Sequence, residues 1–223
     1  MVVLFIITLA GCGARSGEQP AITALPPTAT TTIAVSPSTS TEEAEIAGLA
    51  ATGENLAPGL YTRSNFEPPI RLELDGSWQA VQLADGFFDV QKLAGTPDVI
   101  ALQFANVTGI VAGPTDVVEP DDAASAVDIL SENRTLTVIE TSSSRLGGLV
   151  GSQVTIENQG NRHAGVLEVP PGLLGIDPGR RLWIAFFDTD QGLLSVMVGG
   201  SIGQWDSALR EAEPVLESVV FGT

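Results

Sequence analysis

Leu182-Trp183-Ile184-Ala185-Phe186-Phe187, then Asp188-Thr189-Asp190-Gln191-Gly192, then Leu193-Leu194-Ser195-Val196-Met197-Val198 reads as two apolar strands around a polar turn. Six-residue runs rich in aromatic and branched side chains, bounded by Asp, Thr and Gly, carry the strand signature. Each run is too short for an ordinary helix. This is the clearest hairpin in the chain, and it predicts a fold centred on an antiparallel sheet.

Working upstream, Ala164 to Val169 predicts another strand, and the Pro- and Gly-rich stretch from Pro170 to Gly179 predicts a loop. Val150 to Glu157 predicts a strand entered through Gly147-Gly148, with Val150, Ser152, Val154 and Ile156 on one face. Leu136 to Ile139 predicts a short strand. Before it, Asp121 and Asp122 stand where acidic residues favour a helix N-terminus, ahead of Ala123, Ala124, Val127, Ile129 and Leu130. Ile70 to Asp75 alternates Ile70, Leu72 and Leu74 against Arg71, Glu73 and Asp75, the pattern of a half-buried strand. Asp75-Gly76 is a hairpin signal leading to Trp78, Ala80 and Leu83. Phe87 to Leu93 and Val99 to Phe104 follow as strands, so this half predicts a meander, preceded by a short strand at Leu60-Tyr61-Thr62.

Downstream, Trp205, Ala208, Leu209, Ala212, Leu216 and Val219 fall at helical spacing and predict a helix lying on the sheet. Pro214 is expected to kink it or begin a second turn, and Val219-Val220-Phe221 to close the chain as a strand. Residues 55–223 are long enough for one domain with a proper core.

The N-terminal part has a different character. Val2 to Ala10 is almost unbroken Val, Leu, Phe and Ile, about the length of a secretory h-region and far below the ~20 apolar residues of a spanning helix. No Lys or Arg precedes it. Leu9-Ala10-Gly11-Cys12 resembles the bacterial lipobox, which implies a signal peptide over 1–11 and a lipid on Cys12, the single cysteine. Residues 12–54 shift to Thr, Ser, Pro and Ala, a composition expected to stay extended and unpacked, as a spacer. Glu42, Glu43 and Glu45 mark a brief helix start within it.

Charge narrows the partners. The chain holds 27 Asp and Glu against 10 Lys and Arg, a net charge of −17, with Lys92 its only lysine. Nucleic acid and anionic lipid surfaces select basic patches and are excluded as expected partners. With one Cys and one His, no zinc site of the usual ligand count is available, and no cofactor is expected.

Individual residues carry weak site signals. His163 is the only base available to a Ser-His-Asp arrangement, and it sits in a polar turn. Asp188, Asp190 and Gly192 match part of a calcium loop but lack its distal Glu, and fit a hairpin turn. Asp121 and Asp122 fit a paired-carboxylate site or a helix cap. Gly199-Gly200-Ser201 lacks the lysine of a phosphate loop. Arg180 and Arg181 form a small basic spot suited to an acidic group on a partner, or simply begin a strand. Trp78 and Trp205 fit an aromatic binding surface or the core.

The order of elements resembles the PsbP-like group, which includes the LpqN-type mycobacterial lipoproteins. The matching pieces are Leu72-Glu73-Leu74-Asp75-Gly76-Ser77-Trp78, Gly147-Gly148-Leu149-Val150-Gly151-Ser152-Gln153-Val154, and Leu193 to Val198 with Trp205 and Leu216-Glu217-Ser218-Val219-Val220-Phe221. The resemblance implies an α+β fold, an antiparallel sheet sandwiched by helices. It also implies roles in binding and assembly, and it brings no catalytic residues. The expectation is therefore a non-enzymatic, lipid-anchored envelope protein that binds a protein partner or a small ligand. The alternatives are a solute-capturing lipoprotein serving a transporter, and an envelope hydrolase using carboxylates alone.

Overall fold

The β-strand pairing begins where the sequence is clearest. In the computed structural model, which describes residues 44–45, 55–64, 66–114, 116–170 and 172–222, strands β13 (Arg180–Thr189) and β14 (Gly192–Ser201) pair along their whole length. The turn is tighter than the expected five residues. Thr189 pairs with Gly192, leaving Asp190-Gln191 between them. Gly192 takes a φ of 118°, and the Thr189 hydroxyl donates to the Gly192 carbonyl at 2.7 Å, which draws both ends of the turn into the strands. The signal peptide expected over 1–11, Cys12 and nearly all of the spacer expected over 12–54 lie outside the described residues. Those described fall in one compact unit of the chain, Ser40–Thr223.

The remaining elements, in chain order, are β1 (Ala44–Glu45), β2 (Gly59–Arg63), β3 (Ile70–Leu74), β4 (Gln79–Ala84), β5 (Phe87–Lys92), β6 (Ile100–Val107), β7 (Gly109–Val111) and β8 (Val117–Val118). Then come α1 (Ala123–Glu132), β9 (Thr137–Leu146), β10 (Leu149–Glu157), β11 (Ala164–Val169) and β12 (Gly172–Ile176). After the β13–β14 hairpin and a 3-10 turn, α2 (Trp205–Ser218) and β15 (Val220–Phe221) finish the chain. A seven-stranded sheet in the order β4-β5-β6-β14-β13-β10-β9 forms the middle layer, and all its pairings are antiparallel.

Alternation along β13 assigns the two faces. Ala185 and Phe187, with half-buried Trp183, join the core under α2 and the small sheet β1-β2-β3-β15. Leu182, Ile184 and Phe186 join the core under α1 and the small sheet β12-β11-β7-β8. The fold is α+β, an antiparallel sheet with a helix and a smaller sheet on each face. In the first core Phe88 stacks on Phe104 at 4.5 Å and meets Phe66 edge-on at 5.6 Å, geometries that aromatic quadrupoles favour.

Both helices form where expected. Asp122 caps α1: its carboxylate accepts from Ser125 N at 2.7 Å while Ser125 Oγ accepts from Asp122 N at 2.9 Å, which satisfies donors that the first helical turn leaves open. The helix α2 runs through Pro214 as one element, with Ala212 and Val215 buried on either side of it. Among the described residues no helix is long and apolar enough to cross a membrane.

The structure corrects several expectations. Asp75-Gly76 does not close a hairpin, because β3 pairs in the small sheet with β2 and β15 while β4 pairs in the main sheet with β5. The Asp75 carboxylate instead accepts from Ser77 N at 2.9 Å and turns a corner that sends Trp78, fully buried, into the core. The meander is real from β4 to β6. The Pro- and Gly-rich loop contains a strand, β12, paired with β11. Its flanking Pro170 and Pro178 lie outside the ladder, and Leu174 packs on the core. The strand at Leu136 to Ile139 extends as β9 to Leu146. Val150 shares the face of Val154 but is 58% exposed, beyond the residues that α1 covers. Ala44–Glu45 forms a parallel strand with Tyr61 and Thr62, not a helix start.

Candidate functional site

The helix α2 lies on β14, β6 and β3. It leaves part of the same sheet face bare over β13, β10 and β9. The uncovered strip is an open groove of about 710 Å³. Its floor includes Trp183, Gln153, Ser144 and Leu146, and α2 forms its wall with Leu209 and Leu216. Asp206, Arg210, Glu213 and Glu217 also line it, at i, i+4, i+7 and i+11 along one stripe of the helix. A floor of mixed apolar and polar side chains, a charged rim and a volume within the range of small-molecule sites suit binding.

Three contacts hold α2 in place. Gly200 on β14 lies against Ala208, so close that a Cβ there would come within 2.7 Å of the alanine methyl. The glycine lets helix and sheet approach, which accounts for Gly200 inside a strand. Lys92 Nζ donates to Glu211 Oε2 at 2.9 Å and to Asp75 Oδ2 at 3.0 Å, and it stands 5.0 Å over the Trp78 ring. Burial pushes the Lys92 amine down, but hydrogen bonds to Glu211 and Asp75 and their charges outweigh it and raise its pKa. At the start of α2, Arg181 lies 5.4 Å over Trp205 and donates through Nε to Glu157 Oε1 at 2.6 Å. Glu157 is buried, and its carboxyl is held below the ordinary range by the Gln159 hydrogen bond, against desolvation, and by Arg181.

The residues singled out in the sequence are placed as follows. Trp78 is in the core, and Trp205 is 7% exposed. Arg180 donates to the backbone carbonyls of Pro97 at 3.0 Å and Val99 at 2.6 Å, tying β13 to the segment before β6. Desolvation lowers its pKa. Arg181 and Trp205 come together at a small depression of about 300 Å³ beside the 3-10 turn, with Glu157 bonded to Arg181. Trp78 and Arg180 are not part of that group. Asp188 Oδ1 accepts from Ala123 N at 2.9 Å and so serves as a second cap of α1. His163 Nδ1 lies 2.8 Å from Asp177 Oδ1, both well exposed, at a cleft also lined by Asn158, Arg134 and Arg162. Among the described residues no three of His, Cys, Asp and Glu gather as a metal cluster.

Sequence reasoning missed Trp183. No local signal marked it, because Thr155 and Gln153 come to share its face only through the pairing of β10 with β13. It also missed that Leu209 and Leu216 border the groove while Ala208, Ala212 and Val215 carry the buried stripe.

No family model matches the chain, and no curated protein matches it. Among solved structures it is similar to cyanobacterial PsbP (CyanoP) from Synechocystis at 12% identity and a TM-score of 0.43, over 78% of this chain and 98% of that one. It is similar to LpqN of Mycobacterium tuberculosis, a protein involved in cell envelope biogenesis, at 10% identity and a TM-score of 0.34, over 74% and 85%. A Bacteroides thetaiotaomicron protein aligns at 10% identity and a TM-score of 0.28, over 68% and 44%. No functional statement rests on likenesses of this size. The first two are the groups whose order of elements the sequence resembles, and the α+β architecture stands on the coordinates themselves.

Proposed function

We propose that this chain is an extracytoplasmic lipoprotein, held to its membrane by lipid on Cys12, whose domain binds a protein partner of the cell envelope without catalysing a reaction on it. The observation that carries the binding reading is the groove beside α2. It is a strip of the main sheet left bare, floored by half-buried Trp183 and bordered by Leu209 and Leu216. Apolar groups left open on a sheet face mark a contact surface. The anchor reading rests on Leu9-Ala10-Gly11-Cys12 and on the spacer composition of 12–54. One acyl chain binds a membrane only marginally, and the two or three of a bacterial lipoprotein hold.

Two measurements test this. Metabolic labelling with an alkyne fatty acid should mark the wild-type chain and not Cys12→Ser; equal labelling removes the anchor. A photocrosslinking residue at Leu209 should capture one stoichiometric protein in the living envelope, and one at Val150, on the opposite face, should not. Capture from Val150 alone moves the site off the groove. A small ligand is the second reading, favoured by a groove volume of about 710 Å³. It requires a saturable thermal shift by a metabolite that Trp183→Ala abolishes.

A further inference from the structure

The groove has a second border, the free edge of the main sheet. β9 ends the sheet order, and its only neighbour there is β10. The β9–β10 turn is Gly147-Gly148, with φ of 55° and 89°. Two residues both at positive φ make a type I′ hairpin, in which Leu146 and Leu149 form a hydrogen-bonded pair. Antiparallel ladders alternate bonded and non-bonded pairs. Leu146, Ser144 and Ser142 therefore bond to β10, while the N–H and C=O groups of Arg145, Ser143 and Thr141 point outward. Among the described residues no backbone hydrogen bond from another segment reaches β9.

Among the described residues nothing pairs with this edge. Natural sheets blunt their edges with Lys, Pro, bulges or a covering segment. The opposite end of this sheet shows such devices: β4 carries a register shift between Ala80 and Gln82, and Asn55 bridges to Gln79. On β9 the register shift lies at Ile139, outside the run Thr141-Ser142-Ser143-Ser144, which has neither charge nor proline. Across the groove from that run stands the α2 stripe of Asp206, Glu213 and Glu217 with one cation, Arg210. The whole chain carries −17.

We infer that the partner is captured by strand addition: an extended, basic segment of the partner lays itself along Thr141 to Arg145 as an eighth strand, with its main chain bonded to β9 and its cationic side chains facing the α2 carboxylates. This rests on the groove being the binding site. Main-chain bonds supply affinity in such docking, and alternate side chains supply selectivity. Acidic α2 and a negative chain select a basic strand and reject an acidic one.

The probe is a capped eight-residue peptide of alternating valine and lysine, titrated into the full-length chain in detergent, with amide hydrogen exchange read residue by residue. The expected result is new protection at Thr141, Ser143 and Arg145, whose amides are free without peptide. Proline is tolerated on an edge strand where its missing N–H faces solvent, so Ser143→Pro should fold and bind at least about tenfold more weakly. The same peptide N-methylated on alternate residues should fail in the same way against the wild type, which keeps the test independent of the variant. Binding without protection of those three amides, equal binding by a valine–glutamate peptide, or no binding at millimolar peptide overturns strand addition. The crosslinking from Leu209 tests the groove separately and survives any of these failures.

Discussion

Asp89 on β5 is 5% exposed, and its environment makes a prediction of unusual sign. Its Oδ2 accepts from Gln91 Nε2 at 2.7 Å and Gln103 Nε2 at 3.2 Å, while Oδ1 is buried without a hydrogen-bond partner. Burial raises its pKa above 3.8, against the two glutamine hydrogen bonds. The folded protein therefore holds this proton more tightly than the unfolded chain. The stability owed to the group rises as pH falls through the raised folded value and is fully present below 3.8. At neutral pH the buried charge is a cost. A buried polar group left unmatched costs about 1–3 kcal/mol, more when charged. Asp89→Asn keeps the shape and one carbonyl oxygen for the glutamine donors, and replaces an unpaired charge by an unpaired neutral N–H. The expected gain at pH 7 is about 1–2 kcal/mol, or roughly 3–6 °C in Tm for a domain of this size. Calorimetry of both proteins at pH 7 and pH 4 reads it, and the gap should narrow at pH 4 as the wild-type carboxyl protonates. A variant less stable than wild type at pH 7, or a gap of equal size at both pH values, refutes the reasoning.

Other perturbations follow from the same coordinates. Gly151→Ala would place a Cβ 1.9 Å from the Phe186 carbonyl oxygen, so the strand must shift; a loss of about 3 kcal/mol or more is expected from the urea midpoint. Arg181→Met strands the Glu157 carboxylate and should cost about 2–3 kcal/mol, while adding Glu157→Gln should restore most of it; a double variant as unstable as the single one rejects the pairing. Because the Glu157 pKa is lowered, its contribution is present above the unfolded value and lost as pH falls through the folded one. Lys92→Met keeps the stem but loses two pairs to largely exposed acids and the Trp78 contact, together about 1–2 kcal/mol and less in high salt. Its raised pKa means that this stability is present below 10.5 and lost as pH rises through the folded value, so the variant should lose less in alkali than the wild type.

Periodicity made most of the fold legible. Leu182 to Val198 declared itself as two continuous apolar runs around a polar turn, and the helices at Asp122 and Trp205 because one face of each is apolar at the matching period. Sheet membership was not legible. A turn signal such as Asp75-Gly76 says that the chain reverses locally, and nothing local says whether the next strand bonds to the last one or crosses to another layer. β7, β8 and β12 were missed because strands of two to five residues, several of them Gly, carry too few side chains for a period to show. The groove was hidden for another reason. It is defined by what α2 does not cover, and coverage depends on Gly200 meeting Ala208 across the fold. Arg181 with Glu157 and Trp205 illustrates the converse, residues visible singly whose meeting no spacing announces.

The middle of the main sheet is a seam between two locally assembled blocks. β4 to β6 zip through short turns, as do β9 with β10 and β13 with β14, but β6 meets β14 through residues 86 positions apart at Val107 and Leu193 and 98 apart at Ala101 and Gly199. Such distant pairing is slow because loop entropy is lost before contacts repay it. The edge of β6, carrying buried Ile100, Leu102 and Phe104, therefore stays open until the second block has formed and docked. An apolar edge left open in this way is where the molecule is exposed to aggregation while it folds. Its weakest moment thus belongs to its centre, the part that is best covered once folding ends.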